Sequence, residues 1–235
     1  MGFNFGSIFS APQNLFWYAC FLPPLSLIAC VIAGTVLDHY LILDTPIVAT
    51  ILTYSPERYI FGCTSFVVCI LICVCAYRLF RFLSTGSRRL PNQSLTDTVL
   101  VYSVAVLGFI VSLAYGCISF FTLQEGVKLH FRIEIFAFIL LTVFYLYCDF
   151  LFNKKRIPVS NQSWILDGFL LTLVVAYAVT VYLSIEKNMQ PIFKYASIIG
   201  YAVFLLIFVK FPVLAKTYLG PKFSLSSKKV QAKKK

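Results

Sequence analysis

Six long apolar runs, separated by short polar segments, set the pattern of the chain. Leu15–Leu37, Tyr59–Tyr77 and Val99–Phe121 contain no charged residue. The fourth run, roughly Ile133–Phe152, carries Glu134 and Asp149 near its two ends. The fifth, Trp164–Leu183, contains Asp167, and the sixth spans roughly Ile192–Phe211. Lys194 and Lys210 flank its uncharged centre, from which both can extend to the two interfaces. A bilayer hydrocarbon core of ~30 Å needs about 20 apolar residues in a helix. A helix is also the form in which a single segment satisfies its own backbone polar groups in lipid. The pattern therefore predicts an all-α polytopic membrane protein, a bundle of six transmembrane helices. Pro23 and Pro24 fall inside the first span, where they remove backbone hydrogen bonds and predict a kink.

The polar segments alternate in charge. Arg78, Arg81, Arg88 and Arg89 follow the second span, and Lys154, Lys155 and Arg156 follow the fourth. Lys216, Lys222, Lys228, Lys229, Lys233, Lys234 and Lys235 follow the sixth, and with Lys210 near its end fifteen basic residues lie on one side. The other side has Arg58, Lys128, Arg132, Lys187 and Lys194. The bias in Lys and Arg predicts that the richer side, with both termini, is cytoplasmic. The expected organisation is a cytoplasmic N-terminus at 1–14, a membrane domain at 15–213 and a basic cytoplasmic tail at 214–235. Residues 1–14 carry no basic side chain, so a cleaved signal peptide is not expected.

Composition agrees with this reading. Of 235 residues, 60% are hydrophobic and 12% charged, and the mean hydropathy is +0.85. A soluble domain carries about 25% charged residues, and a disordered chain has few apolar ones. The net charge of +11 resolves into an excess on the cytoplasmic side and near-neutrality on the other. It is an orientation signal and does not call for nucleic acid as a partner; membrane lipids are the expected one. For the basic tail, three readings are open: solvated charge that fixes orientation, contact of Lys228, Lys229, Lys233, Lys234 and Lys235 with anionic lipid, and a dilysine-type retrieval address. The sequons at Asn92 and Asn161 fall on the cytoplasmic side and are expected to be unused.

All eight cysteines fall within the predicted spans, which excludes a secreted disulfide framework. They read as small apolar packing residues, with palmitoylation of Cys75 or Cys148 as the alternative. No metal-ligand set and no cofactor motif is expected. Polar chemistry gathers instead on the non-cytoplasmic side. Asp38, His39, Asp44, Glu57, Arg58 and Glu125 form a candidate lumenal polar cap, and His130 and Glu134 share a helix face if the fourth helix starts early. His130 beside Glu134 is the candidate catalytic pair, fit for a general base or proton shuttle; a purely structural hydrogen-bonding role is the other reading. Asp167 is the candidate membrane-embedded acid. Near the cytoplasmic interface, it and Asp149 can pair with Lys154, Lys155 or Arg156. With no charge at mid-span and no internal repeat, a transporter or channel is disfavoured.

Three segments together resemble the Frag/DRAM/Sfk family of six-span proteins, and most nearly its branch of post-GPI-attachment and Cwh-type remodelling factors. The first runs from Pro24 through Asp38-His39 and Leu43-Asp44-Thr45 to Ser55-Pro56-Glu57-Arg58-Tyr59-Ile60-Phe61. The second is Thr122-Leu-Gln-Glu-Gly-Val-Lys-Leu-His130, and the third is Ile192-Phe-Lys194-Tyr195. Lys194 stands where the family usually has an acid, and the first loop lacks the Cys and the aromatic–Arg pair of the GPI-remodelling members. The resemblance implies a Golgi or ER protein that helps remodel the lipid of GPI anchors on the lumenal side. Asp44, Glu57 and His130 are then the family-like polar residues. GPI-anchored proteins and a remodelling enzyme are the implied partners. The chain is then either an acyltransferase itself or the support of one. The alternative within the family is a non-enzymatic membrane organiser in autophagy or lipid asymmetry, with lysosome or plasma membrane as the alternative location.

Overall fold

The computed structural model describes residues 12–39, 54–87, 95–121, 126–155, 157, 159–185, 187 and 192–232. They form six helices: α1 (Pro12–Val36), α2 (Glu57–Ser87), α3 (Leu95–Phe120), α4 (Val127–Lys154), α5 (Asn161–Ile185) and α6 (Phe193–Ala232). There is no strand among the described residues. All six are long and apolar enough to cross a bilayer, so the chain is an all-helical, multi-pass membrane protein. At 28 residues, α4 is about 42 Å long, from a rise of 1.5 Å per residue. It is therefore long enough to reach from one headgroup layer to the other.

The helices pack in chain order and close into a ring, α6 returning to α1, while α4 and α6 also touch across it. These two are the most buried helices and α5 the least. Aromatic side chains of α6 fill the centre. Phe208 meets Tyr115 of α3 edge-on with ring centres 5.5 Å apart, and Phe211 meets Tyr145 of α4 in the same way at 5.5 Å. The outward faces stay apolar. On α1, Trp17, Phe21, Leu25, Ile28 and Ile32 recur at helical spacing and are all exposed. In water such a stripe would drive aggregation; in lipid it is the solvated surface.

Without a hydrophobic force between helices in lipid, contacts rely on close packing and polar groups. At Gly108 of α3, an added Cβ would stand 2.1 Å from the Ala76 Cβ of α2, so only glycine lets these backbones approach so closely. Nearby, the Ser112 hydroxyl donates to the Cys69 carbonyl at 2.6 Å. Tyr147 of α4 donates to the Leu100 carbonyl of α3 at 2.9 Å, and Tyr145 donates to the Ile207 carbonyl of α6 at 2.8 Å. Helix α1 runs unbroken through Pro23 and Pro24, and the Ser26 hydroxyl donates to the Pro23 carbonyl at 2.8 Å. Cys75 and Cys148 are fully buried, which corrects the palmitoylation alternative: a modifying enzyme cannot reach either thiol.

Candidate functional site

One end of the bundle gathers the histidines. Helix α1 stops in a Schellman motif: the His39 amide donates to the Gly34 carbonyl at 2.9 Å and the Asp38 amide to Thr35 at 3.3 Å. The turn requires a left-handed residue, and Asp38 supplies it at φ 54°. Asp is one of the few non-glycine residues that tolerate this conformation. The turn aims His39 at the start of α2, where its Nδ1 lies 2.7 Å from the Glu57 Oε1. Glu57 is fully buried while His39 is one-quarter exposed. The His39 ring also stacks on Tyr54 at 5.0 Å, and the Cys30 thiol donates to the Glu57 carbonyl at 3.4 Å. Burial of a carboxylate demands such partners.

The second pair lies between α4 and α5. Helix α4 begins at Val127, early enough to put His130 and Glu134 on one face. The His130 Nε2 faces the Glu134 Oε2 at 3.9 Å, and the Tyr177 hydroxyl of α5 donates to that oxygen at 2.8 Å. The His130 Nδ1 bonds the Phe121 carbonyl. A carbonyl only accepts, so Nδ1 carries a proton and Nε2 is the atom turned to the carboxylate. All three side chains are buried, His130 at 2% exposure. Gly200 of α6 makes room for the Tyr177 ring: a Cβ there would stand 2.9 Å from it. The result is a short polar chain, carbonyl–imidazole–carboxylate–phenol, that joins the end of α3 to α4 and α5. It can hold a proton and fix the helix ends. With both His130 and Glu134 buried, it suits positioning better than direct contact with a substrate.

Of the other cap residues, Arg58 is half-buried beside Glu57. Asp44 and Glu125 lie outside the described residues, as do Lys233, Lys234 and Lys235 of the tail. The backbone at Lys228 and Lys229 continues α6.

At the opposite end the structure corrects two expectations. Lys210 does not extend to an interface. It is fully buried, with Nζ 2.7 Å from the Asp149 Oδ2 and 2.6 Å from the Asp167 Oδ1. It also donates to the Ser163 hydroxyl at 2.7 Å and carbonyl at 3.1 Å, and that hydroxyl donates to Asp149. Asp149 and Asp167 therefore pair with Lys210 rather than with Lys154 or Lys155; Arg156 lies outside the described residues. Lys154 and Lys155 instead reach Asp97 at the start of α3, at 3.0 and 3.9 Å. The physical reason is helix length. Because α6 runs on to Ala232, Lys210 lies inside the helix, where an ammonium in a low-dielectric bundle must take a carboxylate from its neighbours. Among the described residues, no group of three or more His, Cys, Asp and Glu gathers at metal-ligand spacing.

Compared with known proteins, residues 13–221 match the family model described as the Frag1/DRAM/Sfk1/Cwh43P N-terminal domain. No curated protein and no solved structure matches the chain.

Proposed function

The chain belongs to the Frag1/DRAM/Sfk1/Cwh43P N-terminal domain family, and on that premise we propose that it serves lipid remodelling of GPI anchors at the lumenal face of the Golgi or ER. The observation that carries this reading is the buried His130–Glu134–Tyr177 chain at the histidine end. That end has few basic residues, so the Lys/Arg bias turns it to the lumen, where the glycan of a GPI anchor lies. A polar chain of this kind is costly in a membrane protein unless it has a role. In this reading it is a positioning device. It fixes the lumenal ends of α3, α4 and α5 against one another, so that a remodelling enzyme and a GPI-anchored protein meet a defined surface. His39 and Glu57 do the same for α1 and α2. The test is complementation of cells lacking the protein, with the acyl composition of GPI anchors read by mass spectrometry. Wild type should restore the composition and His130→Ala should not, at equal expression.

A second reading has one observation in its favour. Helix α6 keeps its helical backbone to Ala232, well past the span that ends near Thr217. A basic helical extension fits a membrane organiser that works through its cytoplasmic tail, as in autophagy or lipid asymmetry. Removal of residues 222–235 should then abolish function, with His130→Ala silent.

A further inference from the structure

At the end of the bundle away from the histidines, α2 carries its basic residues on the outside. Its run Tyr59–Tyr77 is uncharged and measures about 28 Å at the helical rise, close to one hydrocarbon thickness. Arg78 and Arg81 follow, and both are exposed. An exposed guanidinium is costly inside the hydrocarbon, so the pair marks where α2 leaves it. Three positions apart, the two are neighbours on one helix face. A guanidinium N–H of Arg81 donates to the Tyr77 hydroxyl at 3.3 Å. Tyr77 meets Phe80 with ring centres 6.2 Å apart, and Phe80 meets Tyr102 of α3 at 5.0 Å. The aromatic group beneath Arg81 thus spans two helices. Toward the middle of the span the outer face of α2 is apolar, with Phe66 and Ile70 exposed.

The acids of this end are already taken. Of the nine Asp and Glu in the chain, Asp97, Asp149 and Asp167 belong to it. Asp149 and Asp167 hold Lys210, and Asp97 holds Lys154 and Lys155. Asp38, Asp44, Glu57, Glu125, Glu134 and Glu186 fall in sequence in or beside the connections of the histidine end. Among the described residues no carboxylate pairs with Arg78 or Arg81.

We infer that Arg78 and Arg81 bind the headgroup of an anionic phospholipid that carries two anionic groups, one for each guanidinium, with its acyl chains on the apolar face of α2. A guanidinium takes two oxygens of a phosphate or carboxylate in parallel, and Arg81 spends only one N–H on Tyr77, keeping its other donors for the ligand. The Lys/Arg bias turns this end to the cytosol, whose leaflet holds the anionic lipids. A zwitterionic lipid with a single phosphate leaves one arginine without an anion. A soluble anion lacks the chains that hold a ligand at this depth. The inference does not rest on GPI remodelling: unaltered anchors in cells lacking the protein would leave it standing.

The test uses the full chain in phosphatidylcholine nanodiscs doped with phosphatidylserine, with retained lipid read by native mass spectrometry. Both lipids carry a phosphate and an ammonium, and only phosphatidylserine adds a carboxylate. Phosphatidylserine should be retained over phosphatidylcholine. Arg78→Gln with Arg81→Gln should lower that retention roughly tenfold or more, from the usual attraction per basic residue at a membrane surface. Arg78→Lys with Arg81→Lys keeps both charges and should retain more than the glutamine variant, which separates charge from folding. Lys228→Gln with Lys229→Gln in the basic tail should keep the retention, which separates this site from a general attraction to the tail. Glycerophosphoserine, the same headgroup without chains, should fail to compete. Equal retention of the two lipids would overturn the inference. So would undiminished retention in the Arg78 and Arg81 glutamine variant, a lysine variant no better than it, an equal loss in the tail variant, or displacement by the deacylated headgroup.

Discussion

Lys210 and Asp149 are 61 residues apart in sequence and meet with Nζ 2.7 Å from Oδ2, both without solvent exposure. The pair ties α6 to α4, the two most buried helices, and Asp167 draws in α5 from the other side. A buried ion pair contributes little relative to a well-packed apolar replacement, but loss of one partner strands a buried charge at a cost of about 3–5 kcal/mol. Lys210→Met should therefore markedly lower the melting temperature of the protein in detergent. Lys210→Met combined with Asp149→Asn and Asp167→Asn should recover most of the loss. Equal melting of the single and triple variants would contradict this account of the site.

Asp38 sits in the left-handed region for the sake of the turn, not for chemistry. Asp38→Gly relieves backbone strain and should leave stability unchanged or raise it slightly. Asp38→Val, with a branched Cβ in that conformation, should cost roughly 1–3 kcal/mol. The expected order of melting temperatures is Gly at or above Asp, and Val below both.

Gly108 should tolerate nothing larger. Gly108→Ala already places a Cβ on Ala76, and overpacking of this kind costs about 1–3 kcal/mol. Ala76→Gly in the same chain should return part of the loss, because it removes the atom that is struck. A thermal-melt double-mutant cycle measures the coupling directly.

Orientation can be tested without perturbing the fold. Asn161 is the exposed first residue of α5, so its sequon is sterically open. With the basic end cytoplasmic, neither Asn161 nor Asn92 meets the lumenal glycosylation machinery. Glycosidase treatment of the protein from cells should leave its mobility unchanged, and a size shift would reverse the topology.

The six helices were legible in the sequence because lipid imposes one length on every apolar run. The pairing of His130 with Glu134 was legible too, since four-residue spacing puts both on one face once the helix begins at Val127. Tyr177 was not: a tyrosine in a span looks like packing until its hydroxyl is seen on Glu134. The Lys210 cluster was missed for a different reason. A lysine at the edge of a span's uncharged centre reads as a side chain that extends to the interface. A signal existed. Asp149 lies five residues before the end of α4 and Asp167 six after the start of α5, so antiparallel neighbours bring the two acids to one depth. Two carboxylates at one depth in a bundle favour a shared cation, and Lys210 is the first basic residue that the next helix carries at that end.

The central claim is that the buried polar chain of His130, Glu134 and Tyr177 serves GPI-lipid remodelling. Mass spectrometry of GPI-anchor lipids tests it most directly, in cells lacking the protein and in the same cells given wild type or His130→Ala. The account predicts an altered acyl composition in the deficient cells, restored by wild type but not by an equally expressed His130→Ala. Unaltered anchor lipids in the deficient cells would contradict it.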